Sequence, residues 1–337
     1  MSSRAKVFIQ YVVIIAITIV LIWFSLRGLQ VGEGGNKWSY LVKTWQAADK
    51  GWLFMMALLA IVSHFVRAVR WKMLLLPVGQ HTSINHSFLS LMVGYLVNLV
   101  IPRGGEVSRC YNLYKLDKVP VEISFGTVVL ERIVDLLCLI ILVALSFLLE
   151  SKKLIEFINT LPIGIGDGES RFQKLIYTLL IGALVFGLFY WFVKKNKKAN
   201  NFFVKTWHGF KGGMLSVFKL ENKGLFIFYS VLIWLLYFLM SYSVIRAFPA
   251  TSVLGFQAVI SLFAIGSIAM AAPLPGGTGS YHVLVPQGLV YLYHINQTDA
   301  VAFTFIFHGW QTIILIVAGV ISLIVTSILV KKKSRVD

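Results

Sequence analysis

Six runs of roughly twenty apolar residues set the terms on which this chain can fold: Val7 to Leu26, Trp52 to Trp71, Val121 to Leu149, Phe172 to Val193, Leu225 to Ile245 and Asp299 to Val330. A helix of about 20 residues crosses a bilayer core about 30 Å thick. Inside that core every backbone amide must be satisfied by the chain itself, which favours helices. The chain therefore predicts an all-α polytopic membrane protein, a single membrane domain over 1–337. Its 58% hydrophobic residues exceed what a soluble domain of 337 residues can bury.

Two further apolar runs, Ile84 to Ile101 and Leu254 to Ala272, are shorter, and each ends in a Pro-Gly motif. The first motif is Ile101-Pro102-Arg103-Gly104-Gly105-Glu106 and the second is Leu274-Pro275-Gly276-Gly277-Thr278-Gly279. Both runs read as re-entrant segments, or as full spans that raise the total from six to eight. Around the motifs other residues echo: Arg70 and Pro77 before the first, Arg246 and Pro249 before the second. Glu131-Arg132 interrupts the apolar run after one motif and His308 the run after the other. The expected organisation is an internal repeat, 52–150 and 225–331, joined through a basic connector over 194–224.

Charge orients this layout. Placing the amino terminus in the cytoplasm puts most of the 31 Lys and Arg residues on that side, as the positive-inside rule requires, with both termini inside. The first motif then follows an inward crossing and the second an outward one, so the halves have inverted topology. The motifs read as facing mouths of one pathway. The amino-terminal run has no small-residue cleavage site and is expected to remain a span.

The net charge of +17 sits in short flanks beside spans, which points to anionic lipid and away from nucleic acid. Between Lys194 and Lys223, Phe203, Trp207, Phe210, Met214 and Phe218 recur at helical spacing. This is either a helix lying on the membrane surface or a plain loop, the latter favoured by Gly209, Gly212 and Gly213. Trp52 and Trp71 are spaced to place a ring at each bilayer face. Pro120 suits the start of the next helix, and Asn296 or Thr298 can cap the last one.

Cys110 and Cys138 indicate neither a disulfide nor a metal site. His64, His282, His294 and His308 lack metal-ligand spacing. The second motif lacks the Lys of a phosphate-binding GxxxxGK loop, so nucleotide hydrolysis is not expected, and no cofactor is implied. No catalytic triad or HExxH arrangement is visible.

The candidate chemistry is ionic. Glu131, Arg132 and Asp135 lie well inside a span, where each charge costs about 2.5–3.5 kcal/mol on insertion scales. Glu131 and Asp135 share a helix face at i,i+4, and Arg132 can pair with Asp135 at i,i+3, leaving one carboxylate over. They either lock this helix to its neighbours or line a head-group path, with His308 as a further lining residue. Arg103, Glu106 and Arg109 follow Pro102 at i,i+3 spacing. With the amides of Gly104 and Gly105 they make a phosphate seat, unless the arginines merely snorkel to head groups. Arg67 and Arg70 read as snorkelling anchors. Pro275, Gly276, Gly277 and Gly279 form either an amide nest for an oxyanion or only a turn.

Asn98 to Glu106 with Arg109, then Leu130-Glu131-Arg132 with Asp135, and Pro273 to Gly279, occur in this order. Together they resemble the transmembrane region of the lysylphosphatidylglycerol synthetases and the stand-alone flippase-like membrane proteins related to it. The resemblance covers nearly the whole chain. It implies translocation of a phospholipid or lipid-linked anionic substrate between leaflets of a bacterial inner (cytoplasmic) membrane, with the two re-entrant segments meeting near the midplane. The synthetases carry a soluble aminoacyl-transferase domain after the membrane part. This chain runs instead to a Lys-Lys-Lys-Ser-Arg tail, so it is expected not to make aminoacylated lipid by itself. The alternatives left open are an intramembrane lipid-modifying transferase and a non-catalytic partner of a separate synthase.

Overall fold

A computed structural model describes residues 36–160, 197–272 and 274–333, with a few positions between 19 and 29. The expected span Phe172 to Val193, and most of Val7 to Leu26, lie outside the described residues. Among the described residues ten α-helices occur and no strand. They are α1 Lys37–Ala47, α2 Lys50–Leu75, α3 Ile84–Asn98, α4 Gly104–Asp117, α5 Val121–Thr160, α6 Lys197–Met214, α7 Lys223–Ala247, α8 Phe256–Ala271, α9 Ser280–Tyr293 and α10 Gln297–Lys333.

Local chemistry starts these helices where the sequence suggests. Asp49 accepts from the amides of Gly51 and Trp52 at the head of α2, Ser83 from His86 in α3, and Asn222 from Leu225 in α7. Asn296, rather than Thr298, caps α10 by accepting from the Thr298 amide at 2.8 Å. The carbonyl of Pro120 receives the Ser124 amide at the start of α5.

Four of the helical segments are long and apolar enough to cross a membrane: Lys50–Val78, Val121–Asn159, Lys223–Ala247 and Gln297–Lys333. By contrast α3 has 15 residues and α8 has 16, roughly 22–24 Å at the helical rise, too short to span. Each returns through its Pro-Gly motif into a second short helix, α4 or α9, against which it packs. The chain thus forms two helical hairpins rather than two extra spans.

The four elements α2 to α5 and the four elements α7 to α10 follow one plan. Their starts pair as Lys50 with Lys223, Ile84 with Phe256, Gly104 with Ser280, and Val121 with Gln297. Packing repeats too: α5 lies against the α8 hairpin as α10 lies against the α3 hairpin, and α2 and α7 form the broadest contact, one from each half. Both second hairpin helices even stop alike, at the left-handed residues Lys118 and His294. The sequence pairing of Arg70 with Arg246 does not hold. The α7 residue matching Arg70 is Ser243, whereas Arg246 is exposed one turn later and donates to the Ser252 carbonyl.

Residues 197–214 form a helix despite their glycines, of which Gly209 and Gly213 serve packing against α5. A Cβ on Gly213 would fall 2.1 Å from the Ile123 carbonyl oxygen, and one on Gly126 of α5 equally close to that of Phe210. The backbones therefore approach as small residues allow between membrane helices. The rings of Trp207 and Phe210 stack, and Phe210 also meets Phe125 of α5.

Trp71 corrects the aromatic-belt expectation. It is wholly buried and donates to the Thr127 hydroxyl at 2.9 Å, so it joins the core under α4 instead of marking a bilayer face. Cys110 is also in this core, beside Leu113 and Val128.

Candidate functional site: a buried ion network

The first hairpin is drawn tight by two glycines. A Cβ on Gly105 would lie 2.1 Å from the Gly94 carbonyl oxygen, so α3 and α4 touch backbone to backbone. Asn98 closes the turn by accepting from the Gly105 amide at 2.8 Å, and the Gly104 amide goes to Ile101. Those two amides are thereby taken by the protein, and they do not form the phosphate seat that the sequence suggested.

The i,i+3 trio also separates, because each side chain meets a different partner. Arg103 adopts a left-handed backbone (φ 58°), and its guanidinium reaches across to the Ala271 carbonyl at 3.1 Å. Glu106 pairs with Arg132 of α5 at 3.2 Å. Arg109 is buried against Glu131 at 2.5 Å, with its guanidinium 4.7 Å from the centre of the Trp71 ring.

Glu131 and Asp135, one helical turn apart on α5, collect the surrounding arginines. Arg70 bridges them, at 3.4 Å from Glu131 and 2.9 Å from Asp135. Arg67 reaches Asp135 at 2.9 Å, and Arg132 approaches the same carboxylate at 3.7 Å. The network therefore ties α2, α4 and α5 together, and removal of one member leaves a buried charge uncompensated.

Arg67 and Arg70 overturn the snorkelling expectation. Both are buried, Arg70 completely, inside the protein rather than at a head-group layer. One usable signal lies in the sequence: Arg67 follows His64 by three residues and precedes Arg70 by three and Trp71 by four, on the face of α2 that packs inward.

Exposure falls along the network. The Arg132 side chain is 42% exposed, Asp135 13%, Arg67 4%, and Glu131 and Arg70 are sealed. Next to Arg132, the apolar Ile133, Leu136 and Leu137 are exposed on α5, and Val107 is exposed on α4. The ion pair of Arg132 with Glu106 thus stands beside an exposed apolar surface of α4 and α5.

The second motif is built differently. Pro275 opens a short turn in which Gly276, Gly277 and Gly279 have φ of 55°, 71° and 104°. The amides of Gly277 and Thr278 bond back to Leu274 and Pro275, and that of Gly279 meets His282 Nδ1 at 3.4 Å. These three amides are thus engaged within the turn itself. His308 is not in the ion network. Its Nε2 lies 3.0 Å from the Gly276 carbonyl, and its ring stacks on Tyr281 and meets His282 edge-on.

The tips of the hairpins touch. Besides the bond from Arg103 to Ala271, a Cβ on Gly276 would meet Leu99 at 3.0 Å. The motifs thus abut one another inside the fold and are not separate mouths. Among the described residues no group of His, Cys, Asp and Glu has the arrangement of a metal site.

Residues 9–319 match the family model described as the lysylphosphatidylglycerol synthase TM region. A UPF0104 membrane protein of Methanothermobacter thermautotrophicus is 25% identical over 255 residues, covering 69% of this chain and 73% of the relative. Another, from Methanocaldococcus jannaschii, is 29% identical over 98 residues, covering 28% of this chain and 29% of the relative. The match to the latter spans less than a third of its length. No solved structure matches the chain.

Proposed function

The chain belongs to the family of the lysylphosphatidylglycerol synthase transmembrane region, and from that premise we propose that it moves a phospholipid or lipid-linked anionic substrate between leaflets of the cytoplasmic membrane. The observation that carries this reading is the grading of the ion network, from Arg132 at the lipid boundary to sealed Arg70 and Glu131. A purely structural ion cluster gains nothing by ending on an arginine among lipid-facing residues, where the cost is about 2.5–3.5 kcal/mol. An anionic head group does gain from it. The head enters between α4 and α5 as the Glu106 to Arg132 pair opens, while the acyl chains stay in the bilayer.

All three carboxylates in the network, Glu106, Glu131 and Asp135, are engaged by guanidinium groups, so they serve to arrange the arginines. Movement follows the lipid gradient. The touching hairpin tips separate and rejoin as the two halves rock about the α2 and α7 contact. In this reading the halves are inverted, both termini are cytoplasmic, and the substrate is membrane lipid.

Labelled lipid in vesicles containing the purified chain tests the proposal. Lipid that crosses unchanged, and more slowly by at least tenfold in Arg132→Gln, is the expected result. Chemically altered lipid indicates a transferase, and no crossing with any of several anionic lipids rejects translocation in favour of a partner role. Cysteines at Lys118 and His294 test topology: labelling from opposite sides is expected, and labelling of both from one side rejects inversion.

A further inference from the structure

The ion network is unbalanced in a way that specifies its ligand. Arg67, Arg70, Arg109 and Arg132 face Glu106, Glu131 and Asp135, four cations against three anions among the described residues. One positive charge is left over. The unmet bonding capacity is greatest at Arg67, whose Nε and Nη1 are buried and have no partner within the protein, whereas Arg70 and Arg109 each lack a partner only at Nε.

The surroundings of Arg67 look like a seat. Its guanidinium carbon is 6.0 Å from the centre of the Tyr237 ring of α7. His64, one turn before it on α2, has a buried Nδ1 without a partner and packs on Tyr95 of α3, ring centres 4.7 Å apart. Counting from the helix starts, His64 in α2 and Tyr237 in α7 occupy the same position of the two halves. The seat therefore lies on the contact between repeats, where transporters built this way hold their substrates.

We infer that Arg67, with His64, Tyr95 and Tyr237, forms the resting site of one phosphodiester monoanion from a lipid head group. The excess charge selects the ligand: a single negative charge completes the balance, whereas a phosphomonoester with two leaves an uncompensated anion inside the membrane. Nη1 and Nε of Arg67 and Nδ1 of His64 supply the directed contacts, His64 as a donor in its Nδ1–H tautomer. This deepens the translocation reading and rests on it, but binding is measurable without transport.

Native mass spectrometry of the full chain, exchanged into mixed micelles, compares phosphatidylglycerol, phosphatidic acid at pH 8 and diacylglycerol. Retention of phosphatidylglycerol at least tenfold above both others is expected. Dimethyl phosphate at high concentration separates sources: partial displacement marks a seat for the phosphodiester alone, and no displacement marks one that requires the whole lipid. Arg67→Gln should lower retention at least tenfold, and Arg67→Lys less. The double variant Arg67→Gln/Asp135→Asn removes the pair together and serves where the single variant fails to fold.

Phosphatidic acid bound as well as phosphatidylglycerol by the wild type overturns the charge argument. Undiminished binding in the folded single or double variant overturns the seat. If binding depends on Arg67 but no lipid crosses in vesicles, translocation fails and the seat stands.

Discussion

The two halves share a fold and differ in chemistry at matching positions. Counted from the helix starts, Arg67 and Arg70 correspond to Met240 and Ser243, and Arg109 to Val285. Glu131, Arg132 and Asp135 correspond to Phe307, His308 and Gln311. Glu106 corresponds to His282, so none of the seven charged residues of the network has a Lys, Arg, Asp or Glu at its matching position, and the core there is Met240, Val244, Val285, Phe303 and Phe307. Backbone architecture is thus independent of the ion network. The same backbone plan is built around apolar residues in the second half, which supports the binding role proposed for the seven charged side chains of the first.

The sharpest way to break this comparison is to remove charge from one half and bulk from the other. Glu131→Ala leaves Arg70 and Arg109 buried without their carboxylate, and a loss of about 3–5 kcal/mol is expected. Its counterpart Phe307→Leu should cost far less, and thermal unfolding in detergent compares them. Equal losses would mean that Arg70 and Arg109 are not left uncompensated when the Glu131 carboxylate is removed.

The hairpin glycines come next. Gly105→Ala drives a methyl into the Gly94 carbonyl and should cost about 1–3 kcal/mol in the same assay. Gly212→Ala, with open space at that position, should be neutral or slightly stabilising.

Arg103 offers a smaller effect of opposite sign. Arg103→Gly relieves a left-handed backbone worth about 1–2 kcal/mol, offset by the lost bond to Ala271. Unfolding is expected to be unchanged or slightly later, while lipid transport slows. Faster transport would show that the link between hairpin tips is only a brake.

The smallest effect lies at the edge of the second half. Tyr40 of α1 donates to Asp299 at 2.6 Å, and burial, then the Asp299 hydrogen bond and charge, push its hydroxyl up to about 12. A raised value means the folded state favours the neutral phenol, so this contribution is intact below pH 10 and is lost as pH rises from 10 toward 12. Tyr40→Phe should flatten stability over that window, measured by unfolding at stepped pH. An unchanged slope would remove Tyr40 from the docking of α1 on α10.

Much of this was readable without coordinates. Run length and charge identify the membrane, since apolar transfer and the positive-inside bias act residue by residue. The hairpins are legible in the shortness of the runs before Pro102 and Pro275, and Glu131, Arg132 and Asp135 stand out by the cost of their depth. Arg67 and Arg70 were missed because an arginine near the end of an apolar run has the same sequence signature whether it reaches outward or is buried. Trp71 misled for the same reason.

The sequence by itself determined the all-helical membrane class, the two Pro-Gly turns and which half carries the charge, because these follow from local composition. Only the tertiary structure decided who pairs with whom. It took Gly104, Gly105 and Arg109 from the expected phosphate seat, joined the hairpin tips, moved His308 to the second turn and brought Arg67 to the contact between halves. Ionic partners come from helices distant in the chain, and their pairing depends on angles and depths that helical spacing does not encode.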